Sequence, residues 1–422
     1  MKKMLAFVLC LVIIASFFSG CNNAEKLPEP GEFQVGYARV DISPDYTVPY
    51  ASNTYSTHVE ERLYSTCIAF REGGNTILLF HNDLIGSYID PIGPARKDIE
   101  KATGIPVDQI MVNATHVHRA PRTGPTYTEM RNVTRYHEDL RAWMVEAAVA
   151  ALADIKPATA YTASIETEGL NFIRHYNMND GTVAGDNFGS TASGYASHVS
   201  EPDRELRLIK FAREGCKDII LANFAFHPHH ARGTYLTSDI VGVMRENLEK
   251  DMDCSFIFFT GAAGNVNPHS KIVSENADNT YQGKGKILSQ YAAEAAENFT
   301  QVDTGRVQII KHVYDAQPKE EGGYAPEIYM YVFSIGDIAF VSAAYEMFSE
   351  NGTYIKENSP FDVTIVCTLG YYAVGYIPSY DAYEYEGVGL SYEANVGYYA
   401  RGTGEALAEK YVEMLNELYK TK

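Results

Sequence analysis

The sequence predicts an α/β protein in which mixed or parallel β-sheets are layered with helices. Short apolar runs alternate with helix-period patterns from residue 33 to residue 419, as they do when strands feed helices that cover a buried sheet. No repeat and no low-complexity linker breaks the alternation. Several histidines fall directly after the strand-like runs, at the carboxyl ends where open α/β sheets place their ligands.

The chain opens on Lys2 and Lys3, an apolar stretch from Met4 to Phe18, and then Phe18-Ser19-Gly20-Cys21. A positive start with a short apolar run reads as a secretory signal, too short to be a convincing membrane span. The small residues before Cys21 resemble the lipobox of bacterial lipoproteins, although Phe18 stands where Leu is usual. Residues 1–21 are therefore expected to be a lipoprotein signal with Cys21 acylated. The alternative is an ordinary cleaved signal in which Cys21 is incidental. Residues 22–31, with Pro28 and Pro30, read as a tether. The expected location is the bacterial cell envelope, lipid-anchored and facing the periplasm or exterior.

Residues 32–422 form the body. Their length allows one large domain or two. Strand-like runs occupy 36–42, 76–80, 109–114, 218–226, 256–260 and 339–343. Helix-period stretches occupy 94–102, 136–153, 241–250, 286–298 and 404–418. Residues 177–202, rich in Gly, Ser and Asn, read as a long surface loop rimming the site. The net charge of −19 argues against a nucleic-acid partner. Cys67, Cys216, Cys254 and Cys367 are scattered without CxxC spacing, which disfavours a cysteine metal site and leaves their pairing open.

Four segments carry chemistry. Asn113-Ala114-Thr115-His116-Val117-His118 sets an HxH pair at a strand end, and in extended chain residues two apart face one side. Asn223-Phe224-Ala225-Phe226-His227-Pro228-His229-His230 repeats the arrangement after the next buried run. Neutral imidazoles gathered this way suit zinc. Phe259 to Pro268 breaks from a strand into the small-residue turn Gly261-Ala262-Ala263-Gly264-Asn265-Val266-Asn267, which reads either as a tight structural turn or as an anion or oxyanion pocket made by its peptide N–H groups. Ser342-Ala343-Ala344-Tyr345-Glu346 then places a carboxylate after a strand, read by itself as a helix N-terminal charge. An aromatic and acidic stretch follows over 370–387.

In this order the segments resemble the neutral, non-lysosomal ceramidase family. Its ATHTHSGP-, NFAxHP-, GDxSP-, PGE- and YxTxxEEY…YEG-like motifs have counterparts here in ATHVHRAP, NFAFHPHH, GNVNP, AYE and GYIPSYDAYEYEG. The opening Tyr37-Ala38-Arg39-Val40-Asp41-Ile42-Ser43-Pro44 is also similar to the family's first strand. The resemblance implies one ceramidase-like catalytic domain over 32–422 and one zinc ion per chain, held by His116, His227, Glu346 and Tyr376. It implies His118 as a nearby acid/base, with His118 the alternative to His116 as direct ligand. Arg174 falls where the family keeps an arginine near its substrate.

The chain departs from the pattern at three points. Asn267 replaces the family's Ser, and Asn265 the Asp before it. Arg119-Ala120 replaces Ser-Gly after the HxH, and Arg119 with Arg122 is expected to favour an anionic substrate. The chain stops where the family continues into an immunoglobulin-like domain. The implied activity is zinc-dependent hydrolysis of an N-acyl sphingoid-type amide, with Tyr376 and Asn267 stabilising the oxyanion. The expected partners are a small-molecule or lipid substrate and, through the anchor, a membrane. The alternatives are an ester or glycan-derived substrate on the same fold, or a surface lipoprotein that binds lipid or sugar without turnover.

Overall fold

The computed structural model describes residues 31–51, 53–186, 194–273, 278–387 and 389–422. The expected signal, Cys21 and residues 22–30 of the tether lie outside them. The main strands are β1 (Phe33–Asp41), β2 (Tyr64–Glu72), β3 (Asn75–Asn82), β4 (Ile110–Ala114), β5 (Lys156–Glu166), β6 (Glu205–Arg213), β7 (Ile219–Phe224), β8 (Ser255–Thr260), β9 (Val307–Tyr314), β10 (Ile328–Ile335), β11 (Ile338–Ala343) and β12 (Val363–Cys367). The helices are α1 (Ile89–Thr103), α2 (Val133–Ala153), α3 (Asp239–Met252), α4 (Tyr281–Ala296), α5 (Ser349–Glu357), α6 (Tyr392–Val396) and α7 (Thr403–Tyr419).

The first eight strands form one mixed sheet in the order β8-β7-β6-β5-β1-β2-β3-β4, with Thr300–Val302 paired on β5. Strands β7 and β8 run parallel, as do β3 and β4, and the other pairs are antiparallel. A second sheet, β9-β10-β11-β12, is antiparallel except for its last pair. The sheets pack face to face. Phe70, Leu79 and Phe259 of the first meet Phe333, Phe340 and Ile365 of the second, and Phe333 and Phe340 stack with centroids 4.3 Å apart.

The outer faces are covered by helices. Ala69, Leu78 and Val112 pack toward α1 and α2, Ala222 and Phe256 toward α3 and α4, and Val332 and Val341 toward α5 and α7. The result is helix, sheet, sheet, helix. Burial on both faces explains why β2, β3 and β4 are nearly continuous apolar runs and not alternating ones. No described helix is long and apolar enough to cross a membrane.

Every expected strand and helix coincides with an observed element, displaced at its ends by a few residues. The segment 177–202 differs from expectation. Val183–Gly185 and Tyr195–His198 pair on either side of His175–Met178 in a small sheet, because Tyr176, Met178 and Ala184 form a local core. Residues 187–193 of that segment lie outside the described residues. All four cysteines of the body are free thiols. Burial pushes Cys67 and Cys367 up, so both stay protonated and unreactive.

His81 on β3 is buried against Phe259, and neither ring nitrogen has a partner among the described residues. Burial, with the Arg245 charge second, pushes it down to about 3. The native chain therefore stays neutral where the unfolded chain takes up a proton, below a pKa of about 6.5. Stability present above that pH falls as pH drops from about 6.5 toward 3, by about 1.4 kcal/mol per pH unit for this group. In His81→Leu, the urea midpoint is expected to vary less steeply between pH 6.5 and 4. An unchanged slope would show that His81 is not the group that titrates.

Candidate metal centre

The carboxyl ends of strands from both sheets meet at one place. Thr260 at the end of β8 donates its hydroxyl to the Thr115 carbonyl after β4 (2.7 Å), and the Thr368 N–H after β12 donates to the Thr260 carbonyl (3.1 Å). Two buried asparagines brace this junction. Asn223 of β7 donates to the Phe259 and Val366 carbonyls at 2.9 and 3.1 Å. Asn113 of β4 donates to the Thr368 carbonyl and accepts from the Ser342 hydroxyl. Each amide thus ties the large sheet to the small one directly beneath the histidines.

His116 leaves β4 with φ +67°, in the left-handed region, a strained conformation for a residue with a Cβ. Its backbone N–H donates to the Leu84 carbonyl, and its Nδ1 lies 2.7 Å from the Ile85 carbonyl. His227 sends its backbone N–H and its Nδ1 to the Val266 carbonyl, both at 3.0 Å. Carbonyl partners fix the proton on Nδ1 in each ring and leave Nε2 with a free lone pair. Both Nε2 atoms face the same oxygen: Glu346 Oε2 lies 3.1 Å from His227 Nε2 and 3.3 Å from His116 Nε2.

Glu346 and Tyr376 are direct partners in a short parallel pair, Glu346–Met347 with Tyr376–Ile377. This brings the phenol oxygen to 3.3 Å from His227 Nε2. His118 completes the cluster with its Nε2 3.4 Å from that of His116. The ligand atoms of His116, His118 and His227 all lie within 4.8 Å of one another.

The residues fit a zinc ion. Two lone pairs converge on an anionic oxygen with no proton between them, an arrangement that repels unless a cation occupies the centre. Two imidazole nitrogens and a carboxylate are an N/O donor set that zinc takes, with the Tyr376 hydroxyl beside them. Burial, with the Arg174 charge second, pushes His227 down to about 4. Burial and the neighbouring imidazoles push His118 and His229 down as well. Tyr376 is pushed well up by burial and then by Glu346, so the phenol keeps its proton.

Arg174 does not touch the three imidazoles. It is buried with its guanidinium 5.4 Å from the Tyr376 ring centre and donates from Nε to Glu393 Oε1 (2.7 Å). The other Glu393 oxygen lies 3.1 Å from His175 Nε2. Glu393, in α6, is fully buried. Burial raises its carboxyl, yet Arg174 and His175 hold it down at about 2. Sequence reasoning missed Glu393, and it also missed the bracing role of Asn113 and Asn223.

Three N–H groups of the small-residue turn are spent inside the fold. The N–H groups of Gly261, Gly264 and Val266 go to the carbonyls of Phe224, Met347 and Ala263. Asn265 accepts from the Ser349 N–H at the start of α5 and donates to Glu350. Asn267 gives its amide N–H to Asp186 (2.7 Å), and its carbonyl oxygen is buried without a partner. What Gly264 supplies is closeness to the metal centre. A Cβ there would meet the Glu346 carbonyl oxygen at 2.7 Å. Gly264→Ala is therefore expected to push the Glu346 strand outward and weaken any metal binding at the cluster about 10- to 100-fold, the range for residues that hold a ligand in place. Competition with a chromogenic chelator measures this, and an unchanged affinity would rule it out.

Beside Glu346 and Tyr376 opens a cleft of about 390 Å³, walled by Tyr88, Tyr324, Tyr372 and Tyr398. The tyrosines near the C-terminus do line a cleft next to the cluster.

No protein-family model matches the sequence, and no curated protein matches it. Solved structures do match the fold. The neutral ceramidase from Pseudomonas aeruginosa superposes with a TM-score of 0.74 over 92% of this chain and 75% of that one, at 15% identity. A ceramidase complexed with C2 gives 0.74 over 92% and 76%, at 14% identity. This chain has the neutral ceramidase fold.

Proposed function

We propose that the protein is a zinc-dependent hydrolase that cleaves the amide bond of an N-acyl lipid of the sphingoid type, releasing fatty acid and amine. The observation that supports this most is the convergence of two Nδ1-protonated imidazoles on the Glu346 carboxylate, within a fold shared with ceramidases. His116, His227 and Glu346 would hold the ion, with the Tyr376 oxygen alongside. Bound zinc polarises a carbonyl and brings the pKa of its water near 7.

The chain's own groups supply the remainder. His118, kept neutral by burial, accepts the proton of the attacking water and returns it to the departing amine. Tyr376, kept protonated, donates a hydrogen bond to the oxyanion as the carbonyl becomes tetrahedral. One N–H of the Asn267 amide goes to Asp186, so oxyanion stabilisation rests chiefly on Tyr376, with the second Asn267 N–H able to assist. The aromatic cleft takes the acyl portion. We further propose that an acylated Cys21 keeps the enzyme at the cell envelope.

Elemental analysis and fatty-acid release from a short-chain ceramide, on one sample with and without chelator, test the reading. One zinc per chain with chelator-sensitive release is expected. Full release from metal-depleted protein would end the zinc mechanism.

A further inference from the structure

Arg119 and Arg122 take no part in the chemistry above, yet they follow His118 in the loop that leaves β4. Both are half-buried. Arg119 donates from Nε to the Ala231 carbonyl and lies 4.9 Å from the Tyr50 ring centre. Arg122 donates from Nε to the Tyr50 carbonyl (2.7 Å) and faces Tyr127. Backbone oxygens and ring faces thus fix both guanidinium planes.

Neither arginine is paired with an acid among the described residues. Charges acting on Arg122 come from Tyr127, Tyr88 and Arg119, and burial pushes its guanidinium down. Asp239 is within electrostatic reach of Arg119, but its carboxylate is taken by the backbone N–H groups of His230, Ala231 and Ile240. Arg174, Arg213 and Arg245 are buried with acid partners, Glu393, Asp154 and Asp83; buried Arg96 has none but gives both Nε and a terminal nitrogen to the Ile110 and Val107 carbonyls and the Tyr331 hydroxyl, whereas Arg119 and Arg122 place only Nε among the described residues. Half-buried cations without a counter-charge carry a desolvation cost that an anionic ligand would offset.

The position relative to the cluster is also specific. Arg122 acts electrostatically on His118 in the cluster and on Tyr88 in the cleft wall. With His118 in its proposed role of returning a proton to the departing amine, Arg122 would stand on the amine side of the scissile bond.

We infer that Arg119 and Arg122 bind an oxyanion carried by the amine half of the substrate, which makes the preferred substrate an anionic N-acyl compound and not a neutral ceramide. This rests on the zinc-hydrolase reading. Planar guanidinium groups grip carboxylate or sulfonate oxygens through two parallel hydrogen bonds.

Three amides with one acyl chain separate the possibilities: N-octanoylglycine, N-octanoyltaurine and N-octanoylethanolamine, bearing a carboxylate, a sulfonate and a neutral hydroxyl. For the zinc-loaded protein, kcat/KM for at least one anion is expected to exceed that for the ethanolamide on the order of 10- to 100-fold. The better anion identifies the head group. Arg122→Gln is expected to collapse that ratio, and Arg122→Lys to restore part of it. Calorimetric binding of N-octanoylglycine provides a readout independent of turnover. Binding that Arg122→Gln abolishes, without turnover, would keep the anion site and overturn the hydrolase. A ratio near one or below, with the ethanolamide cleaved, would overturn the anion site and keep the hydrolase. No binding and no cleavage of any of the three would overturn the inference.

Discussion

His227→Ala is expected to remove bound zinc and to lower turnover on the order of 10³-fold or more. A metal that polarises a carbonyl supplies several kcal/mol to the transition state, and each 1.36 kcal/mol is a factor of ten in rate. His227 has no substitute. Its ring is 1% exposed, its proton is fixed by Val266, and its Nε2 faces both Glu346 and Tyr376. His118 is close enough to His116 to compensate at that position, so His116→Ala is expected to cost less. Elemental analysis of both variants beside turnover checks the order. Wild-type zinc content and turnover in His227→Ala would remove the centre from the mechanism.

Glu393→Gln is expected to destabilise the protein by about 3–5 kcal/mol, the cost of leaving one member of a buried ion pair without its partner. Arg174 and Glu393 are 2% and 0% exposed, so water cannot compensate the stranded guanidinium. Activity falls for a separate reason: Arg174 no longer has an anchor to hold it against the Tyr376 ring. The double variant Arg174→Met, Glu393→Leu separates the two effects. Apolar replacement of both partners is expected to recover most of the stability without recovering turnover. Urea unfolding of the three proteins decides the first point. If Glu393→Gln unfolds at the wild-type midpoint, the pair contributes nothing.

The parts legible in the sequence were those whose signal is local. Runs such as 256–260 and periods such as 404–418 announce β8 and α7 because burial on a fixed period is written into consecutive residues. The two strand-end histidine motifs are legible for the same reason. Strands β5 and β9 went unread because much of each is half-exposed, which breaks the apolar run. Strand β2 carries a clear apolar run and a Gly73-Gly74 turn into β3, with Gly73 at φ +55°; that hairpin was legible and overlooked.

Other features have no local signal at all. The Glu346–Tyr376 pairing is two residues long and is dictated by what packs around it. Glu393 finds Arg174 across 219 positions of sequence. The turn at Gly264 left two readings open, a structural turn and a ligand pocket, for an instructive reason. Glycine does signal a close approach, but what approaches is the protein's own Glu346 backbone and not a ligand.

His116 and His227 stand on the large sheet, while Glu346 and Tyr376 come from beyond the strands of the small one. A ribosome delivers these groups in that order, and protein folds progressively as it emerges. A nascent chain that has reached residue 345 possesses every imidazole of the cluster and no carboxylate to complete it. A chain truncated before residue 346 therefore lacks the carboxylate that the proposed metal site requires.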